Sequence, residues 1–205
     1  MLQARERHMC KSANENRRKV GVKLQQAAWG VATMLLLALV SLPGCRDSVA
    51  RGQTMNLTST SFKDGSQIPA HYTCSGEGLS PQLAWSAPPA RTASMALIVT
   101  DPDAPRGVFT HWVLYDLPVG MRTLTEGVPG VGQLVDGALQ GRNDFGEIGY
   151  GGPCPPPGSP HHYIFTLYAL DTKLNLPVGE KRAQVEAAMQ GHILAKSRLV
   201  GLFQR

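Results

Sequence analysis

The sequence predicts a mostly β protein with one short helix near its C-terminus. Of its 205 residues, 22 are glycine and 15 are proline, and many of these divide the chain beyond residue 55 into short segments. The segments between them are apolar and rich in β-branched residues, which is typical of strands joined by turns. Residues 56–205 suffice for one domain with a full hydrophobic core, without metal or disulfide support.

The first 44 residues are typical of an export signal. They carry seven basic and two acidic residues, and an apolar run at 27–40 follows the basic cluster at 17–19. The run is shorter than the roughly 20 residues of a membrane-spanning helix, which favours cleavage over retention as an anchor. Residues 42–45, Leu-Pro-Gly-Cys, are similar to a bacterial lipobox, in which Cys45 would receive a lipid and become the mature N-terminus. Ordinary cleavage, which would leave the domain periplasmic or secreted, is the alternative.

The excess positive charge is confined to this leader. Outside residues 1–44 the chain has 13 basic and 13 acidic residues. Binding to DNA or RNA depends on neutralising many phosphates, so the balanced charge argues against a nucleic-acid partner. Residues 45–55 lack periodicity and predict a short polar tether, and residues 56–205 form the predicted domain.

Four strands and a helix can be placed along this domain. Met95–Thr100 is apolar until its last residue, as expected of a strand buried on both faces. In Phe109–Tyr115, alternation places His111 and Trp112 on opposite sides of the strand. A helix is predicted at 180–190, because its apolar residues share one face and a glycine follows it. The other predicted strands are Tyr163–Leu170 and Ser197–Phe203.

Three segments carry side chains suited to chemistry. Asp101 and Asp103 lie on a loop stiffened by prolines directly after a buried strand, although such residues more often cap the amides of a turn. His111 follows in the next strand, where a histidine is usually a packed core residue. The segment 149–163 is too rich in glycine and proline for a helix or a central strand. It predicts an ordered loop whose glycines permit close approach to a ligand.

Four motifs occur in order along the domain: Asp101-Pro-Asp-Ala-Pro105, His111-Trp112, Tyr150-Gly-Gly-Pro-Cys-Pro-Pro156 and His161-His-Tyr163. Together with Ser80-Pro-Gln-Leu-Ala-Trp85 they resemble the phosphatidylethanolamine-binding protein family, in its bacterial Raf-kinase-inhibitor-like branch. The resemblance covers roughly Leu57 to the C-terminus. It implies a Greek-key β-sandwich and a pocket for phosphate-bearing or other anionic head groups.

The resemblance also implies which residues bind the ligand. Imidazole N–H groups and a tyrosine hydroxyl donate well to phosphate oxygens, and a carboxylate can orient an imidazole or receive an ammonium. His162 stands where many relatives have arginine and, by alternation, points away from His161, so it receives no pocket role. The expected binding residues are Asp101, Asp103, His111, His161 and Tyr163 around the pocket, with Tyr150, Gly152, Pro155 and Pro156 at its rim.

The four cysteines have separate expected roles. Cys10 lies in the leader and Cys45 is the lipidation candidate, which leaves Cys74 and Cys154 as one pair in an exported domain. A disulfide between them is therefore predicted. The competing reading makes Cys154 a nucleophile activated by a histidine, but its flanking prolines and an oxidising compartment argue against a free thiolate.

Three classes of function stay open. The leading one is a binding module without enzymatic activity, metal or cofactor, attached to the membrane through Cys45 and facing the periplasm, for anionic small molecules or phosphate-bearing head groups. The second is an inhibitor or interaction protein of a protease or kinase. The third is a hydrolase that uses Cys154 and a histidine, or a metal held by Asp101, Asp103, His111 and His161. A homodimer and an unidentified protein target are further options for its partners.

Overall fold

Strands joined by turns make up most of residues 54–205, the part of the chain that the computed structural model describes. The predicted leader at 1–44, the lipidation candidate Cys45 and the tether up to residue 53 lie outside the described residues. Met55, the last residue of the predicted tether, is buried in the hydrophobic core. Packing of the domain therefore includes at least one residue before position 56.

The described residues contain nine strands, a single 3-10 turn at Ala70–Tyr72 and one α-helix, so the mostly β fold with a short helix is confirmed. No helix in this part of the chain is long and apolar enough to cross a membrane. The elements are β1 (Leu57–Thr58), β2 (Ser66–Gln67), β3 (Leu83–Trp85), β4 (Ser94–Asp101), β5 (Phe109–Leu117), β6 (Thr123–Leu124), β7 (Leu139–Gln140), β8 (His161–Leu170), α1 (Arg182–Met189) and β9 (Ile193–Phe203).

The strands are arranged in two sheets. A sheet of three strands has the order β1-β3-β6, and a sheet of six strands has the order β2-β9-β8-β4-β5-β7. In the larger sheet β2 pairs with β9 in parallel, whereas β4 pairs with β5 and β8 in antiparallel fashion. Both sheets are open and the larger one is mixed, so the Greek-key β-sandwich that the resemblance implies stays a prediction.

The central strand β4 is buried on both faces, as its apolar composition predicts. One face belongs to a core that also holds residues of the smaller sheet, and the other face belongs to a second cluster that includes α1. The predicted helix face is confirmed for two of its residues, because Val185 and Met189 of α1 lie in that second cluster. Met95, Leu97, Val99, Leu83 and Trp85 lie in the first cluster, and Ala96, Ile98, Val185 and Met189 lie in the second.

A β-bulge in β5 changes the direction of His111. Two successive residues of β4 pair with Trp112 and with Thr110, so His111 has no partner on that strand. Bulges re-aim side chains in this way. The His111 ring lies 5.1 Å from the ring of Tyr163, which belongs to the same core as Trp112. The prediction that His111 and Trp112 point to opposite sides is therefore wrong, because the extra residue interrupts the two-residue period.

Candidate functional site

A cavity of about 380 Å³ lies at one end of the larger sheet, where β4 ends and β5 and β8 begin. Because β4 runs antiparallel to both β5 and β8, its last residue lies beside the first residues of those two strands. The loop after β4, the turn at 144–145 and the proline-rich loop at 154–156 complete the wall. Six predicted binding residues line this cavity, namely Asp101, His111, Pro155, Pro156, His161 and Tyr163.

Asp101 orients the imidazole of His161. Its Oδ2 accepts a hydrogen bond of 2.7 Å from Nδ1 of His161, and its Oδ1 accepts one of 2.8 Å from the backbone N–H of Asp103. Both side chains of the Asp101–His161 pair are largely buried. Since Nδ1 of His161 is occupied, Nε2 is the nitrogen left for a ligand.

His111 is held in a similar way by a backbone carbonyl. The Gly151 carbonyl oxygen lies 2.7 Å from Nδ1 of His111, and because a carbonyl only accepts, Nδ1 carries the proton. Burial lowers the pKa of His111, and this effect outweighs the Gly151 carbonyl and the Asp101 carboxylate, which both raise it. The ring is therefore neutral at pH 7, and its Nε2 is an acceptor.

Tyr163 contributes a buried hydroxyl to the same wall. Tyr163 is only 1 % exposed, and its hydroxyl has no hydrogen-bond partner among the described residues. Burial raises the pKa of Tyr163, and the carboxylates of Asp101 and Asp103 raise it further, so the phenol keeps its proton. A buried donor without an acceptor is uncommon and costly, which makes this hydroxyl a natural partner for a ligand oxygen.

Asp103 does not line the cavity. Its carboxylate instead accepts two hydrogen bonds of 2.8 Å from His162, one from the backbone N–H and one from Nδ1. The backbone N–H and then the imidazole lower the pKa of Asp103. Asp103 and His162 thus join the loop after β4 to the start of β8 outside the cavity.

Tyr150 and Gly152 also lie behind the wall rather than on it. The Tyr150 hydroxyl donates a hydrogen bond of 2.9 Å to the backbone carbonyl of Tyr72. A Cβ atom at Gly152 would lie 3.0 Å from that same carbonyl oxygen. Both residues hold the proline-rich loop against the segment that follows the 3-10 turn.

A disulfide joins the same two segments. Cys74 and Cys154 form the bond, with Cα atoms 5.3 Å apart, and this is the pairing that the cysteine count predicts. Cys154 also lines the cavity, directly before Pro155. With its sulfur in a disulfide, Cys154 is not the free thiolate that the hydrolase alternative requires.

Only three of the four proposed metal ligands, Asp101, His111 and His161, line the cavity. Within residues 54–205, no three side chains of histidine, cysteine, aspartate or glutamate are arranged to hold a metal ion. Asp103 is directed to His162 instead. The types of side chain alone therefore did not predict how the proposed metal ligands are arranged.

Several cavity residues were not predicted. Arg106 and Val108 follow the aspartate motif closely enough to be suspected from it, but Asp144 and Phe145 lie in a turn that no sequence signal connects with the cavity. The Phe145 ring packs 4.7 Å from the Phe109 ring. Asp144 accepts a hydrogen bond of 2.6 Å from the backbone N–H of Thr110. The full set of unpredicted lining residues is Ala104, Pro105, Arg106, Gly107, Val108, Phe109, Asp144, Phe145 and Cys154.

Comparison with known proteins shows consistent similarities over this domain. A family model described as "Phosphatidylethanolamine-binding protein" matches residues 58–204. A "UPF0098 protein" of Methanothermobacter thermautotrophicus is 50% identical over 151 residues, which cover 74% of this chain and 99% of the relative. A protein of the same description from Aquifex aeolicus is 49% identical over 158 residues, covering 76% of this chain and 92% of the relative.

Two crystal structures are similar as well. The phosphatidylethanolamine-binding protein homologue CT736 from Chlamydia trachomatis has a TM-score of 0.68 and 41% identity, covering 74% of this chain and 98% of that chain. E. coli YbcL, described as a member of the mammalian PEBP family, has a TM-score of 0.67 and 34% identity with the same coverage. Sequence similarity and structural similarity thus indicate the same protein family.

Proposed function

The chain belongs to the phosphatidylethanolamine-binding protein family, and from this premise we propose that its cavity binds anionic small molecules or phosphate-bearing head groups without catalysis. The observation that carries the proposal is the Tyr163 hydroxyl, which is buried and has no partner in residues 54–205. Tyr163 lines the same cavity as His111 and His161. An anionic ligand oxygen is the acceptor that such a set of donors would bind.

A hydrogen bond from His111 to an anion requires a proton on Nε2 of that ring. Its Nδ1 donates to the Gly151 carbonyl, so Nε2 can donate to a ligand only when the ring is protonated. The carboxylates of Asp101 and Asp144 favour the protonated ring, whereas burial and His161 oppose it. A bound anion shifts this balance towards the protonated form. Affinity should therefore fall as the pH rises through the pKa of the liganded His111.

The same proposal includes export and attachment to the membrane through Cys45. The basic cluster, the apolar run and the lipobox-like residues 42–45 occur in the order that a lipoprotein signal requires. The tether of residues 45–55 would hold the domain close to the periplasmic face of a membrane. Head groups of that membrane, or phosphorylated molecules in the periplasm, are then the available ligands.

Calorimetric titration with glycerophosphoglycerol, a phosphodiester whose single negative charge is constant between pH 5.5 and 8, tests the proposal. Tighter binding at pH 5.5 is expected for the unsubstituted protein. Replacing His111 or His161 by Ala should cost about 1.5–3 kcal/mol of binding free energy if each hydrogen bond is charge-assisted.

His192→Ala is the matched control, because His192 pairs with Asp171 at 2.8 Å as His161 pairs with Asp101, but it does not line the cavity. Its affinity should equal that of the unsubstituted protein. Equal affinities of all four proteins at both pH values would show that the two cavity histidines are structural and that the proposal is wrong.

A further inference from the structure

The two sulfur atoms of the disulfide have different surroundings. Cys74 is exposed, whereas Cys154 is half-buried on the cavity wall. Nη1 of Arg205, the C-terminal residue, lies 3.7 Å from Sγ of Cys154. The residue that carries one sulfur is therefore exposed to solvent, and the other sulfur lies beside a positive charge.

We propose that the Cys74–Cys154 disulfide is a site of exchange with small thiols of the glutathione type. These thiols attack Cys74 rather than Cys154. The thiolate of the small molecule attacks Sγ of Cys74 and forms a mixed disulfide with it. The bond between Cys74 and Cys154 breaks, and its electron pair leaves on Cys154 as a thiolate. A second thiolate then attacks the sulfur of the small molecule in the mixed disulfide, which releases Cys74 and the oxidised small disulfide.

The surroundings of the two sulfurs determine this direction. Attack requires access to the sulfur, which favours Cys74. The better leaving group is the sulfur whose thiolate is more stable, and a neighbouring guanidinium such as that of Arg205 stabilises a thiolate. Access and leaving-group stability therefore select the same reaction.

Opening the disulfide should change the cavity without unfolding the domain. The two joined segments keep a backbone hydrogen bond of 3.0 Å from Cys74 to Pro153 and the 2.9 Å bond from the Tyr150 hydroxyl to Tyr72. The released Cys154 thiolate, however, remains on the cavity wall and adds a negative charge there. That negative charge should repel an anionic ligand, so this consequence rests on the proposed function. Linkage requires the converse, that a bound anion favours the oxidised protein.

The direction of exchange can be tested without any ligand. The full-length protein is treated with reduced glutathione, the free thiols are blocked with iodoacetamide, and the mixed disulfides are mapped by peptide mass spectrometry. Glutathione on Cys74 with alkylated Cys154 in most molecules is the expected result. Glutathione mainly on Cys154, or shared equally between the two cysteines, would overturn the proposal.

Variants of Arg205 test the role of its charge. Arg205→Gln should slow the reduction by roughly threefold, since a leaving thiol with a higher pKa departs more slowly, whereas Arg205→Lys should keep most of the rate. Arg91→Gln, a change at an exposed arginine that does not line the cavity, is the control and should react at the normal rate. An unchanged rate in Arg205→Gln contradicts the proposed stabilisation of the Cys154 thiolate.

A final measurement separates this proposal from the proposed function. The ratio of oxidised to reduced protein is measured at a fixed glutathione ratio, with and without saturating glycerophosphoglycerol. We expect the ligand to raise this ratio about tenfold. If calorimetry detects binding but the ratio stays constant, the link between thiol exchange and the cavity is wrong. If calorimetry detects no binding, the proposed function fails, while the mapping experiment still decides the direction of exchange.

Discussion

Single atoms left free by local hydrogen bonds determine the chemistry of the cavity. Nδ1 of His111 and Nδ1 of His161 are each held by an acceptor of the protein, so only Nε2 of either ring is free for a ligand. The Tyr163 hydroxyl has no partner in the described part of the chain. The cavity therefore offers a neutral donor and two nitrogens whose role depends on protonation.

The Tyr163 hydroxyl should lower the free energy of unfolding when no ligand is bound. Tyr163→Phe removes a buried donor that has no acceptor, so the free energy of unfolding should stay constant or rise by up to about 1 kcal/mol, while affinity for a phosphodiester falls. Tyr150→Phe is the control, because it removes a hydroxyl that donates to Tyr72 and should lower the free energy of unfolding by about 1 kcal/mol. Urea unfolding and calorimetry measure both effects. Equal destabilisation by the two changes would contradict this account of Tyr163.

His111 should make the domain less stable in acid. Its pKa in the folded protein lies below the ordinary value of 6.5, so protonation favours the unfolded chain and stability falls as the pH drops below about 6.5. His111→Asn, which keeps an N–H group near Gly151, should flatten the dependence of urea unfolding on pH between 7.5 and 5. A slope unchanged by this substitution would show that another group causes the acid sensitivity.

His71 provides a control of opposite sign. Hydrogen bonds to Glu126 and Glu77 raise the pKa of this exposed histidine, so its contribution to stability is present in acid and is lost as the pH rises through the folded pKa. In His71→Asn the loss of stability in acid should therefore be slightly steeper than in the unsubstituted protein. The effect should be small, because solvent screens this pair.

At the level of elements, the bulge in β5 and the contact between two loops bring the cavity residues together. The bulge turns His111 towards Tyr163 on β8, two strands away in the sheet. The loops at 70–79 and 149–156 approach so closely at Gly152 that a side chain would contact the backbone of Tyr72 and Thr73. The position of the cavity wall thus depends on backbone contacts as well as on side chains.

Gly152 should be intolerant of even a methyl group. A Cβ atom there would lie 3.0 Å from the carbonyl oxygen of Tyr72 and 3.1 Å from Cα of Thr73, and neither backbone atom can turn away as a side chain can. Gly152→Ala should therefore lower the free energy of unfolding by about 1–3 kcal/mol. Gly120→Ala, with nothing within 4 Å of the added Cβ, should be neutral or slightly stabilising. Equal urea midpoints for the two variants would refute the close approach.

At the scale of the whole molecule, two sheets and one helix form a domain whose cavity lies at the edge of the larger sheet. The larger sheet is covered on one face by the core that it shares with the smaller sheet and on the other by the cluster around α1. Because both faces are covered, the edge where β4 ends and β5 and β8 begin is where loops can enclose a ligand.

Attachment through Cys45 predicts where the protein is found in the cell. Cys45→Ala should move the protein from the membrane fraction to the soluble fraction, because the lipid would have no attachment site. Cys10→Ala changes a cysteine that lies before the predicted cleavage site, so this variant should stay with the membrane. Fractionation followed by immunoblotting measures both proteins. Unchanged partition of Cys45→Ala would refute lipid attachment at this residue.

Patterns within one segment could be read from the sequence alone. The apolar run of β4 predicted burial on both faces, the spacing of Val185 and Met189 predicted the buried face of α1, and four motifs in order predicted the family. Each of these depends on residues a few positions apart, or on motif types and their order. The same local rules predicted the wrong side for His111, because they do not anticipate an extra residue in a strand.

The composition of the cavity wall was decided by tertiary structure. Asp101 and His161 are 60 positions apart, and His111 and Gly151 are 40 apart, and no local pattern selects these partners over others. Asp103, although only two residues from Asp101, lies beyond the end of β4 and pairs with His162, which alternation along β8 puts on the opposite side from His161. The sequence by itself determined the fold class and the family, and it named candidate binding residues of which six line the cavity. Strand pairing, the bulge and the contact of two loops decided which of them share one cavity.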